Sequence, residues 1–121
     1  METGMMTEDE FREKLWQISD AIAVVDPPTT EPTELVMAEL RGALAQYRAL
    51  PHLWDKELSC RVSVRTAFRV YANLGQTDSH QEHLAELMEK AVEADDAVRA
   101  ARRRAEEAAS RADAAVVKMM Q

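Results

Sequence analysis

The feature that most constrains this chain is a run of small and apolar residues in its last third. Leu84, Leu87, Ala91, Ala94, Val98, Ala101, Ala105, Ala108, Ala112, Ala115 and Met119 follow one another in alternating steps of three and four. That spacing returns each residue to one side of an α-helix and is the a/d pattern of a coiled-coil seam. No Gly or Pro interrupts it between Thr77 and Gln121. At about 1.5 Å per residue, the segment 76–121 predicts a helix on the order of 65 Å long. A rod of that length is more than one small domain needs for itself, so the seam is expected to take a helical partner. Its first half, Leu84 to Val98, mixes bulky residues with alanine. Its second half, Ala101 to Ala115, is an alanine seam, which lets helices approach closely but buries little area.

Composition sharpens that expectation. The chain has 121 residues and 46% count as hydrophobic, yet 20 of them are alanine and only 5% are aromatic. A core so poor in large side chains is marginal alone, which again favours a partner. Asp and Glu outnumber Lys and Arg to give a net charge of −7, unevenly spread. Residues 1–40 carry −8, residues 41–75 carry +4 and residues 76–121 carry −3. A basic middle between acidic ends predicts packing between segments or docking on an acidic partner. It is not the concentrated positive charge that binds nucleic-acid backbones.

Upstream of the seam the sequence reads as shorter helices. Residues 1–6 are expected to be a mobile N-terminus. Thr7 is a good N-cap with Glu10 three positions on, and Glu8, Asp9 and Glu10 suit the positive end of a helix dipole. Phe11, Leu15, Ile18 and Ile22 then form one stripe of a helix over about 7–25, widened by Trp16. Asp26, Pro27 and Pro28 end it. A second helix over about 33–50 carries Val36, Leu40, Ala43, Tyr47 and Leu50 on one side. Pro51 predicts a break, followed by a third helix over 51–74 with Gly75 as its C-cap.

That third segment is ambiguous. From Leu58 to Val70 the even positions are mostly apolar and the odd ones mostly Ser and Arg, which is strand-like alternation. No second strand candidate exists to pair with it inside the chain, and an isolated strand is unstable. A helical stripe, Cys60, Val64, Ala67, Phe68, Tyr71 and Leu74, is also present. A helix is therefore the reading, with a strand pairing to another chain as the alternative. The helix stacks Arg61, Arg65 and Arg69 into a basic stripe, which the acidic first helix, through Glu10, Glu13 and Asp20, could face.

Chemistry-bearing motifs are scarce. His80, Glu82, His83 and Glu86 gather at a helix start, but a bundle metal site needs such ligands to recur on a facing helix. Cys60 is the only cysteine, so there is no disulfide framework, and no partner histidine motif accompanies it. Glycine-rich phosphate loops and hydrolase or zincin signatures do not occur. No catalytic, metal or cofactor site is therefore expected. The Arg99, Arg102, Arg103 and Arg104 cluster offers an alternative role as a nucleic-acid-associated regulator, although Asp95, Asp96, Glu106 and Glu107 flank it. The seam is too small-chained to insert into a membrane surface, and no run approaches a membrane span. With an acidic start lacking a basic and apolar leader, the chain reads as intracellular, cytoplasmic or nuclear. The expectation is an all-α fold, three shorter helices as a small bundle or hairpin plus the long coiled-coil helix. Such a chain would act as a non-catalytic subunit, scaffold or adaptor that joins other helical subunits as a homo- or hetero-oligomer.

Overall fold

A computed structural model describes residues 6–75 and 77–121. Among them there are three helices and no strand: α1 (Glu8–Val25), α2 (Glu31–Leu74) and α3 (Asp78–Met120). Each start has a local cause. The Glu10 amide donates to Thr7 Oγ1 at 3.1 Å, which satisfies one of the orphan donors of α1. At α2 the cap is Thr30, so the helix starts at Glu31, slightly before the 33 that the sequence suggests. The Thr33 amide donates to Thr30 Oγ1 at 3.3 Å, and the Thr30 amide donates to Thr33 Oγ1 at 2.9 Å. This reciprocal pair leaves Pro32 in the first turn, where no amide hydrogen is needed. Thr77 caps α3 by accepting from the His80 amide at 3.2 Å. Gly75 precedes it at φ 81°, the left-handed region where a Cβ would be strained.

The break expected at Pro51 does not occur, so the separate helices over 33–50 and 51–74 are one 44-residue helix. A proline within a helix costs about 3 kcal/mol through its missing amide and ring crowding. Here its neighbours offset that cost. Tyr47 and Leu50 are fully buried, and Leu53 and Trp54 pack against the same cluster. The stretch from Leu58 to Val70 is helical throughout. Its strand-like alternation arises because Leu58, Val62, Phe68 and Val70 are apolar but outward-facing, and so fill the gaps between inward positions.

Helices α2 and α3 run antiparallel for their whole length. Tyr71 meets His80 near the connecting turn, Arg61 meets Asp95 midway, and Glu39 meets Arg111 toward the other end. The seam of α3 is therefore filled from within the chain. Sequence reasoning left it open for another subunit because Pro51 hid a partner helix of equal length. Helix α1, about 27 Å long by the same rise per residue, packs antiparallel on the first half of α2 and reaches only to Trp54.

The core sits in this three-helix base. Val36, Met37, Leu40, Ala43, Tyr47 and Leu50 of α2 pack against Ala101, Ala105, Ala108 and Ala112 of α3, with Ile18 and Val25 closing the cluster from α1. Phe11, Leu15 and Ile22 pack against it, as does Met6, which is half-buried despite the mobility expected of the N-terminus; residues 1–5 lie outside the described residues. Large side chains thus come from α2 and small ones from α3, and the alanines set how closely the helices approach. Ala105→Leu, at a fully buried site, is expected to cost about 1–3 kcal/mol through overpacking. A fall in the urea unfolding midpoint would register it, and an unchanged midpoint would show that the seam has room to spare.

Candidate partner-binding surface

One stripe of α2 connects the base to everything beyond it. Leu40, Leu44, Tyr47, Pro51, Trp54, Leu58, Arg61, Arg65 and Phe68 follow in steps of four and three, so they share one side of the helix. The lower part of this stripe is where α1 lies, and Phe11 meets Trp54 edge-to-face with ring centroids 5.2 Å apart. Beyond Trp54 only the first turn of α1 remains, and the stripe continues into exposed Leu58 and Phe68, uncovered among the described residues. On α3 the matching line, in steps of seven, is Val116, Ala109, Arg102, Asp95 and Met88. Val116 and Ala109 pack against the core, whereas Met88 is open. The two long helices therefore extend beyond the base as a bare two-helix arm of roughly 20 residues per helix, about 30 Å long. A third-helix slot runs along it. Leu58, Val62, Phe68, Met88 and Val92 are between 49% and 60% exposed there. This row of large exposed apolar side chains is the candidate partner-binding surface of the chain.

At the root of the arm lies a buried charge. Glu57 is 1% exposed, on the α3-facing side of α2. One carboxylate oxygen is held by Arg61, and the other has no hydrogen-bond partner among the described residues. Arg61 also reaches Asp95 at 3.8 Å, and Asp95 in turn holds Arg99 at 3.0 Å. Burial pushes the Glu57 carboxyl above the ordinary glutamate range, and the Asp95 carboxyl adds in the same direction while Arg61 pulls it back.

The sequence placed Arg61, Arg65 and Arg69 opposite Glu10, Glu13 and Asp20. No such ion pair occurs among the described residues: Phe11 already lies level with Trp54, so Glu13 and Asp20 run away from the arginines along α1. Arg61 takes Glu57 and Asp95 instead, and Arg65 and Arg69 are exposed with no ion-pair partner among the described residues. In the Arg99–Arg104 cluster, Arg99 holds Asp95, Arg102 holds Glu106 at 2.9 Å, and Arg103 and Arg104 face solvent. His80 and His83 serve the tip of the hairpin. His80 stacks on Tyr71 at 4.3 Å and its Nδ1 lies 2.8 Å from the Gly75 carbonyl oxygen, while His83 meets the same ring edge-on. No three His, Cys, Asp or Glu side chains converge as a metal site among the described residues. Cys60 lies half-buried in a groove of about 380 Å³ between the long helices, beside Lys56, Lys90 and Glu93. No helix among the described residues is long and apolar enough to cross a membrane.

Seam positions Leu84, Leu87 and Ala91 fall in the arm and are half-buried, whereas Ala94 and Val98 at its root are buried. Sequence reasoning missed the slot and the burial of Glu57, though the i,i+4 spacing of Glu57 and Arg61 does announce their ion pair. The signal for the slot was present, since the steps of three and four run straight through Pro51, but a proline read as a break cuts the stripe in two. No family model matches this chain, and no curated protein or solved structure is similar to it.

The buried carboxyl makes a test with a definite sign. Its folded pKa lies above its unfolded value, so the folded state favours the protonated form. Its contribution is best below the ordinary glutamate range and is lost as pH rises through the raised pKa. Glu57→Gln keeps the shape and removes the charge. It is expected to stabilise the protein near neutral pH by about 1 kcal/mol, with the gain fading as pH falls below the glutamate range. Urea midpoints of both proteins across pH check this, and a wild type that is the more stable near neutrality would contradict it.

Proposed function

We propose that the chain is a non-catalytic assembly module that joins a multi-protein complex by helix-on-helix contacts. Its three-helix base acts as the foot, and the two-helix arm receives the partner. The observation that carries this reading is the third-helix slot. The α2 stripe that α1 covers up to Trp54 continues through Leu58, Arg61, Arg65 and Phe68 with nothing over it among the described residues. A helix laid into that slot would complete coiled-coil packing along the arm by the helix-in-groove mode of recognition. The site sits on two continuous helices anchored in a packed base, so it is pre-formed, which lowers the ordering cost of binding. The nucleic-acid reading has less support, since two of its four arginines are already engaged by Asp95 and Glu106.

Leu58→Glu with Phe68→Glu places charge in the slot while touching no buried residue. The double variant is expected to keep its unfolding free energy within roughly 1 kcal/mol of the wild type, since exposed substitutions cost little. The wild-type chain recovered from its native source is expected to travel in a stoichiometric complex by native mass measurement, and the double variant alone. A wild type that travels as a bare monomer would remove the proposal.

A further inference from the structure

We infer that the slot on the arm takes an acidic amphipathic helix from a different protein, an inference that rests on the assembly reading above. Charge is unevenly placed around the apolar groove. From Leu58 to Leu74, α2 carries Arg61, Arg65 and Arg69 and no acidic residue. Arg65 and Arg69 fall on the slot side with Leu58 and Val62, exposed and without an ion-pair partner among the described residues. Across the groove, the α3 positions on the slot side are Met88, Val92, Asp95 and Arg99, and Asp95 is already held by Arg61 and Arg99. The arm does have many acids, but they sit elsewhere. Glu86 and Glu93 fall on the rear side of α3, where Glu93 lines a groove with Lys90 and Cys60, and Glu89 and Asp96 lie on the outer flank of α3 beyond Val92, away from the α2 rim. Beyond the Arg61–Asp95 pair at its root, the slot is therefore apolar at its floor and basic along its α2 rim.

A second copy of this chain is a poor occupant. Its own acidic amphipathic helix, α1, is committed to its own core through Phe11, Leu15, Ile18 and Ile22. Two slots facing each other about a two-fold axis across the helices would set arginine against arginine. The fitting occupant is a helix of about 18–20 residues, the length of the arm. It has an apolar stripe at steps of three and four, and Asp or Glu on the flank that meets Arg65 and Arg69.

The test uses the full chain and two synthetic helical peptides with the same leucine stripe, one flanked by glutamate and the other by lysine. Fluorescence anisotropy of each labelled peptide is read at low and high salt. The glutamate peptide is expected to bind about tenfold or more tighter at low salt, with the advantage shrinking as salt screens the pairs. Arg65→Glu with Arg69→Glu is expected to invert the preference without moving the thermal midpoint. Equal binding of both peptides, or a preference that survives the double charge reversal, would overturn the acidic-partner inference. If equal binding were also abolished by Leu58→Glu with Phe68→Glu, the assembly reading would stand alone. Binding of neither peptide by a monomeric chain would overturn both. Self-association blocked by the same Leu58 and Phe68 substitutions would replace the foreign helix with a second copy.

Discussion

The close approach of α2 and α3 is the contact on which the rest depends. Leu40, Tyr47 and Leu50 need a neighbour that leaves them room, and α3 offers Ala101, Ala105, Ala108 and Ala112. Neither helix would be stable alone in water at this composition, because helices draw most of their stability from a packed apolar face. Once they are paired, the groove between them forms a ready bed for α1, whose Phe11, Leu15 and Ile22 finish the base. The same pairing carries α2 through Pro51. A helix flanked on both sides tolerates a proline that an exposed one would not, because the lost hydrogen bond is small beside the burial on either side of it.

Much of this architecture is legible in the sequence, and the illegible part has a specific origin. The three-four spacing of α3 is explicit because no Gly or Pro interrupts it. The start of α1 is explicit because Thr7 and the acids after it satisfy known end requirements. What covers the α3 seam is not explicit. Local rules assign Pro51 a break, and only long-range packing, which no window of sequence contains, decides otherwise. The Leu58–Val70 alternation misleads for a related reason. Period 2 signals a strand when one face is buried and the other wet, yet here apolar residues occupy both the inner and the outer side of a helix. Leu58, Val62 and Phe68 in that excess line the slot, so the feature that confuses secondary structure is the one that leaves an apolar side of α2 open.

Glu57 shows how the base and arm are kept distinct. An apolar residue there would extend the seam smoothly from one to the other and would cost less. Glu57 keeps Arg61 in any register, since both lie on α2 one turn apart, but burial and the nearby Asp95 carboxyl both work against its charge. The arm therefore begins where the apolar seam of the base is interrupted by a carboxyl that lowers total stability.

The short turn at Gly75 has a consequence for how the chain folds. Residues nearest the turn close the smallest loop and meet first, but they are also the least buried: Tyr71, His80 and Leu84 are only half covered. The contacts that reward closure, such as Tyr47 with Ala105, sit at the far end of the hairpin. A zipper started at the turn would therefore gain little until it had travelled some 20 residues per helix, past the arm. The area that holds the hairpin closed lies in the base, where α1, α2 and α3 pack together. The slot therefore keeps its shape only while the base clamps the two long helices, and a lesion in the base reaches the arm without touching it.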